Sequence, residues 1–490
     1  MAARTWSGGL TIRIGGTDRN RNPVKPPAPQ RYTANHGCYG RENRATAAFR
    51  SDGLTDSLAG VMSSQPRDAP RVGGGPVRID VERVLADIAE LAAYREPDEP
   101  GSTRRVFRDA HRSGRVWLAA RMAEVGLEVE TDGAGNLIGT RTGRGAPGAV
   151  VTGSHTDTVR GGGRYDGVLG VLGGLEAARA LSAAGIELEH DLQVVDFLGE
   201  EPNDWGLSCV GSRAVTGGLA RADLERTDAH GRTLARALAD FGRDPETALT
   251  GRWPLPHAFV ELHIEQGPVL ELAGRAIGVV TGIVGVHRVL VEFAGRRDHA
   301  GTMPMDQRHD AACAAAELML AVEALAQGGG GVGTTGRVEV EPGAMNVVPD
   351  RARVWMELRS IDPAWVSERR DAALAAAAAA ASRRGVGLSV DVLSDEPPTP
   401  MDPQVRGAID AAARAAGYDP LELASGAEHD TRQIARIARS GLIFVPSLDG
   451  RSHCAEEWTD PADLAAGIGV LAATIVGLDR LPPPSPGAVR

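Results

Sequence analysis

Between residues 149 and 266 the chain repeats one rhythm: an apolar run of strand length, a helix or long connection, then another such run. AVVTGSH leads into a helical stretch from Val168 to Ala183, LQVVDFLGEE follows, and AFVELHIEQ comes after it. Strands alternating with helices are the signature of an open α/β sheet. Upstream, Val81, Val84, Leu85, Ile88, Leu91 and Ala92 recur at helical spacing, a second helix is expected near Ala110–Val125, and LEVETDGAGNLIGTR reads as two short strands around a Gly-rich turn.

Around Gly285 the rhythm changes. HRVLVEFAG, a helix near Ala311–Ala326, GRVEVEPGAMNVVP, RARVWMELRSID, an Ala-rich helix over Val366–Arg383 and VGLSVDVLS follow in turn. That order is β-α-β-β-α-β, the ferredoxin-like arrangement. PPTPMDP (Pro397–Pro403) reads as a return linker, after which helix and strand alternate again. The expected organisation is an α/β domain over 77–285 and 397–480, interrupted by a ferredoxin-like α+β insert over 286–396, with a frayed tail at 481–490. A chain of 490 residues has room for both. Residues 1–76 are rich in Gly, Pro, Asn and Ser and carry eleven basic against five acidic residues. They read as a disordered extension, or as the mark of a mis-assigned start codon with Met62 as the internal start; a functional basic arm is the sharper alternative.

Composition removes several chemistries. Of the 53 basic residues one is a lysine, Lys25, in the proline-rich NPVKPPAPQ. No P-loop lysine, Schiff-base lysine or kinase strand lysine is therefore present. The net charge of −11 argues against a nucleic-acid partner. No apolar run reaches the roughly 18 residues of a membrane span, and MAARTWSGGLTIRIGG has no long apolar core of a secretion signal. Cys38, Cys209, Cys313 and Cys454 are scattered without CxxC pairing, which fits a reducing cytoplasm.

Open α/β sheets place their sites beyond the carboxyl ends of the strands. Here each candidate strand end carries metal-binding chemistry: His155 and Asp157, then Asp166 before an apolar helix, Glu200 and Glu201, His263, and His453 after SGLIFVPS. A lone HxD or a lone Glu pair is more often a surface feature; the combination at successive strand ends is not. Three histidines with several carboxylates suit Zn²⁺, Mn²⁺ or Co²⁺. Five ligands exceed what one tetrahedral ion needs, so two ions sharing a carboxylate are expected, with Asp166 as the bridge. Neighbouring side chains on an extended strand point opposite ways, so one of Glu200 and Glu201 can ligate while the other faces the reacting water. Cys454 reads as a small neighbour of His453 and not as a ligand.

With these residues in place the chain resembles the allantoate amidohydrolase and N-carbamoyl-L-amino-acid hydrolase family of dinuclear metallohydrolases. The carrying motifs are GSHTDTVRGGGRYDGVLGV, FLGEEPNDWGLSCVGSRAVTG, VELHIEQGPVLE, AGRRDHAGTMPMDQRHDAA, GAMNVVPD with ELRSID, SGAEHDT and IFVPSLDGRSHCAEEWT. The resemblance implies a mixed-sheet, metallo-exopeptidase-like catalytic domain and an insert that serves as lid and dimerisation domain. It implies His155, Asp166, Glu201, His263 and His453 as metal ligands, Glu200 as general base, and Asp157 as the carboxylate orienting His155. It implies that Gln266, His299, Asn346 and Arg359 hold the substrate, with His299 and Asn346 reaching the site of a second copy in a homodimer. His299 can steady a tetrahedral oxyanion, and Arg359 offers a planar fork to a carboxylate. His287 and His309 match no role, and His429 lies in a matching segment without one.

The implied reaction is hydrolysis of a linear C–N amide bond of an N-carbamoyl-L-amino acid, giving the amino acid, CO₂ and ammonia. Allantoate, β-ureidopropionate and N-acyl amino acids or dipeptides share the carboxylate anchor and stay open as substrates. A metal-binding scaffold without catalysis is the alternative of another class. Three segments depart from the family pattern: EEPNDWGLSC replaces a Gly-Ser-Arg-Phe-Gly type sequence, Glu428 stands where glycine is common, and SHCAEE lacks a proline before its glutamate. They bear on the substrate and leave the metal chemistry intact.

Overall fold

The computed structural model describes residues 77–483, with the short strands Ile12–Ile14, Arg71–Val72 and Gly75–Pro76. Most of the stretch 1–76 and the end of the tail lie outside the described residues, and with them the reading of those segments.

The larger sheet has nine strands, one of them, Leu421–Ser425, beside Gly278–Ile283. Its centre is parallel: Asp191–Phe197, Ala149–His155, Ala258–Ile264 and Ser440–Val445 lie side by side in that order. Ala149–His155 comes first in the chain and has the next two strands on either side of it. Strand order therefore reverses at its carboxyl end, where α/β sheets open a crevice. These four strands are buried on both faces, which is why they read as nearly continuous apolar runs. The hairpin Glu128–Thr131/Leu137–Arg141 adds an antiparallel edge.

Helix Val168–Ala183 lies against this centre and is buried almost all round. Gly170 makes the close approach possible, because a Cβ there would stand 2.5 Å from the Leu262 carbonyl oxygen. Helix Pro461–Asp479 packs beside it, with Asp460 capping its first turn through the Ala462 N–H. This last helix is 19 residues long with a mean hydropathy of 1.7, so by length and composition it could cross a membrane. That corrects the expectation that no apolar stretch reaches membrane-span length, since Asp463 and Asp479 are the only charges in it. Two-thirds of its apolar window is buried within the fold, as in a core helix.

The second sheet joins Gly387–Glu396, Gly285–Ala294, Arg351–Ser360 and Val332–Glu341, in that spatial order, by antiparallel pairing. Ile12–Ile14 adds to its Gly387–Glu396 edge in parallel. Helices Ala311–Ala326 and Pro363–Arg384 cover one face, and the connections run β-α-β-β-α-β. Along Arg351–Ser360 burial alternates strictly: Ala352, Val354, Met356 and Leu358 enter the core while Arg353, Trp355, Glu357 and Arg359 face away. Between the strands ending at Phe197 and beginning at Ala258 lie four helices of four to seven residues, at Val210–Thr216, Arg221–Leu224, Leu234–Asp240 and Pro245–Thr250. They are too short for periodicity to reveal.

Candidate metal and active site

The parallel centre brings His155, Glu200, Glu201 and His263 to one edge of the sheet. The loops before Val168 and after Val445 add Asp166 and His453. Asp166 stands between the histidines: Oδ1 is 3.1 Å from His263 Nε2 and 3.7 Å from His155 Nε2, while Oδ2 is 3.1 Å from His453 Nε2. Glu200 Oε2 lies 3.5 Å from His155 Nε2, and Glu201 Oε1 lies 3.4 Å from His453 Nε2. Among the described residues three donor groups result: His155–Asp166–His263 and Asp166–Glu201–His453, which share Asp166, and Glu261–His263–His429, which shares His263 with the first.

The backbone sets the histidine tautomers. His155 Nδ1 is 2.9 Å from the Asp157 carbonyl oxygen, and His263 Nδ1 is 2.8 Å from that of Ile264. A carbonyl only accepts, so each Nδ1 carries a proton. Burial lowers His263, but its hydrogen bond to Asp166 outweighs that and raises it to about 9, so with no ion bound its Nε2 also donates to Asp166; a bound cation would take the place of that proton. The orienting contact on His155 thus comes from the main chain of Asp157, not from its carboxylate, whose Oδ1 is 3.7 Å away. That carboxylate instead accepts the N–H groups of Glu200 and Glu201, each at 3.3 Å, and so fixes the turn that carries both glutamates. Gly167 starts the following helix at φ +67°; a Cβ there would stand 2.4 Å from the His155 ring, so only glycine lets the helix begin beside that ring.

The electrostatics are those of crowded acids. Burial, then the charge of Glu201, pushes Glu200 well above the usual carboxylate range; burial and Asp166 do the same to Glu201. Burial raises Asp157 to about 7 against the pull of the two N–H bonds. Burial also pushes Asp166 upward, but hydrogen bonds to His263 and His453 outweigh it and hold it well below its ordinary value. His453 rises to about 9, chiefly through Asp166. A bound cation would offset this excess of buried negative charge. The donor set also fits one chemically, being three imidazoles and hard carboxylate oxygens with no thiolate among them.

Around the centre lies a cavity of about 400 Å³, lined by His155, Asp166, Glu200, Glu201, His263 and His453, with Gln266, Arg288, Arg359, Glu396, Glu428 and Arg432 on its walls. Gln266 Nε2 donates to Asp166 Oδ2 at 2.9 Å, and its buried Oε1 has no partner. Arg359 bonds Glu357 at 2.6 Å and the Gly426 carbonyl at 2.8 Å. His299 and Asn346 lie elsewhere. They sit together on a small hairpin, the Ala300 N–H bonding the Asn346 carbonyl at 2.9 Å, and both are exposed outside this cavity. His287 is buried against Asp395 and His309 bonds the Gly385 carbonyl. His429 is buried edge-on against the His263 ring, 4.5 Å between centroids, with its Nε2 on Ser425.

One residue outside the sequence reading braces the centre. Glu457, 2% exposed, accepts the N–H groups of Tyr165 at 2.8 Å and Asp166 at 3.0 Å through Oε1, and lies 2.8 Å from the Ser452 hydroxyl through Oε2. It ties the Asp166 loop to the His453 loop. Glu457→Leu leaves two buried N–H groups without acceptors, at about 1–3 kcal/mol each. Metal affinity, measured by competition with a chromophoric chelator, is expected to fall about 10–100-fold, the range for groups that orient ligands. Glu457→Gln can keep the acceptor and is expected to lose much less.

Residues 151–476 match the model of peptidase family M20/M25/M40. The chain is 39% identical over 401 residues to an N-carbamoyl-L-amino acid amidohydrolase of Geobacillus stearothermophilus, covering 81% of this chain and 98% of that one. It is 38% identical to a ureidoglycolate hydrolase of Oryza sativa subsp. japonica, covering 83% of this chain and 86% of the relative. Among solved structures, an amidase of the hydantoinase/carbamoylase family from Burkholderia multivorans matches with a TM-score of 0.77 at 33% identity, over 83% of this chain and 99% of that one. Sequence and architecture agree over the same region, and the chain belongs to peptidase family M20/M25/M40, alongside the hydantoinase/carbamoylase-type amidases.

Proposed function

We propose that the protein is a metal-dependent amidohydrolase that cleaves the linear C–N bond of a ureido acid, with N-carbamoyl-L-amino acids as the substrate class. The observation that carries the reading is the convergence, in one cavity, of a two-part N/O donor set, a buried glutamate beside it and the Arg359 fork. His155, Asp166 and His263 would hold one divalent ion and Asp166, Glu201 and His453 a second, drawn from Zn²⁺, Mn²⁺ or Co²⁺. Bound there, such ions supply Lewis-acid polarisation of the carbonyl and a water of lowered pKa. Glu200 takes the proton of the attacking water and returns it to the departing nitrogen. Arg359 anchors the substrate carboxylate and Gln266 holds its polar groups.

His299 and Asn346 lie outside the cavity of their own chain, which supports a homodimer in which they complete the site of the second copy through a lid and dimerisation domain spanning 286–396. The described cysteines are unpaired, in keeping with a cytoplasmic location.

Ammonia release from N-carbamoyl-L-alanine, allantoate, ureidoglycolate and β-ureidopropionate is the direct test. Release from none of them, with hydrolysis of N-acyl amino acids or dipeptides, would move the protein to the acyl or peptide class. Arg359→Lys keeps a positive charge beside Glu357 but loses the planar fork. KM for the ureido acid is expected to rise about tenfold, the loss of one charge-assisted hydrogen bond, with a smaller change in kcat.

A further inference from the structure

Beyond the metal ligands, the cavity has two charged ends. Cross-strand register sets Arg359 opposite Val286, and Val286 opposite Glu396 on its other side. Residues directly opposite share a face of the sheet, and all three line the cavity. Arg359 and Glu396 are thus two strand spacings apart, about 10 Å. At the first end, Arg288 and Arg359 both bond Glu357, at 2.5 and 2.6 Å, leaving one positive charge in excess for a carboxylate. At the other end Glu396 is half-buried and, among the described residues, has no ion pair or side-chain hydrogen bond.

Glu428 stands on the same cavity wall. Its Oε1 accepts from Arg213 at 3.3 Å and Gln433 at 3.5 Å, while Oε2 has no partner among the described residues. Arg432, on the same wall, gives Nη1 and Nη2 to the Pro397 and Val284 carbonyls, while its Nε has no hydrogen-bond partner and stands 3.9 Å from Glu428 Oε1. Neither glutamate is used by the hydrolysis. An apolar side chain placed here would bury their free oxygens without donors, and an acidic one would meet the unpaired charge of Glu396, since Glu428 is already paired with Arg213.

We infer that Glu396 and Glu428 select the substrate's side chain by accepting N–H donors at its tip. The preferred substrate is then the N-carbamoyl derivative of an amino acid with a long guanidino, amino or ureido side chain, its carboxylate on Arg359. This rests on the ureido-acid reading of the site.

The test is kcat/KM, from ammonia release by the full chain loaded with Mn²⁺, on the N-carbamoyl derivatives of L-arginine, L-citrulline, L-methionine, L-glutamate and L-alanine. Arginine or citrulline is expected to exceed methionine by about tenfold, one hydrogen bond to a charged group, with glutamate poorest. Arginine above citrulline assigns the preference to charge; equality assigns it to the donors. In Glu396→Leu and in Glu428→Leu, which remove charge and acceptor together, the arginine-to-alanine ratio is expected to fall about tenfold, whereas a merely structural role would lower both substrates alike. Turnover of the alanine derivative with no preference among side chains, or with unchanged ratios in both variants, overturns the inference alone. Ammonia from none of the five overturns the ureido-acid reading and the inference together.

Discussion

Glu200→Gln is expected to lower kcat by about 10²–10⁴-fold, the usual contribution of a positioned acid–base group, while the protein keeps its metal. Glu200 is 6% exposed and only 3.5 Å from the His155 nitrogen that faces the centre, so it borders the donor set without belonging to any three-residue group. Its backbone is fixed through the Asp157 carboxylate and its side chain accepts the Cys209 thiol at 3.7 Å, so an isosteric amide should sit in the same place. What the amide lacks is the capacity to take and return a proton. Steady-state ammonia release, paired with elemental analysis of the same sample, checks this. Near-normal turnover with metal bound would remove Glu200 from the mechanism, and loss of metal would make it a ligand.

The neighbouring glutamate shows why the assignment needed three dimensions. From the sequence, two adjacent acids at a strand end divide into one ligand and one base, but strand alternation alone does not say which. The loop carrying His453 brings that imidazole to 3.4 Å from Glu201, while Glu200 lies 3.5 Å from His155, and the proposal that Glu201 ligates rests on the first of these contacts. His155, His263 and the glutamate pair were legible because each is the local end of an apolar run, where period and chemistry coincide. Asp166 was legible because it immediately precedes an apolar helix. Glu457 was not, because its partners Tyr165 and Asp166 lie some 290 residues earlier and the bond is to backbone. Asp157 meets His155 through its carbonyl oxygen, where the resemblance implies its carboxylate, and side-chain chemistry cannot announce a carbonyl contact. Glu396 and Arg288 reach the cavity through sheet register, which no single segment of sequence contains. The open α/β sheet and the β-α-β-β-α-β order were readable from strand-length runs; the strands Gly278–Ile283 and Leu421–Ser425, glycine-containing or half-exposed, were not.

Asp166→Asn is expected to strip the centre of both ions, whereas His453→Ala should strip one. Asp166 is the only residue shared by His155–Asp166–His263 and Asp166–Glu201–His453, with one oxygen toward His155 and His263 and the other toward His453. An amide offers one neutral oxygen in place of two anionic ones, so neither group keeps its central charge. The affinity loss should exceed the roughly 10–100-fold typical of groups that only orient ligands. His453 belongs to one group, is about half exposed, and leaves His155, Asp166 and His263 in place when removed. Metal-to-protein ratios after dialysis against a buffered free-metal concentration therefore distinguish the arrangements. Loss of both ions in the first variant and of one in the second fits a shared carboxylate. Equal loss in both would mean a single ion held by all five residues, and full retention in Asp166→Asn would place the metal elsewhere. Activity should follow occupancy: absent in Asp166→Asn at any metal concentration tested, and recoverable in part for His453→Ala as the supplied metal is raised.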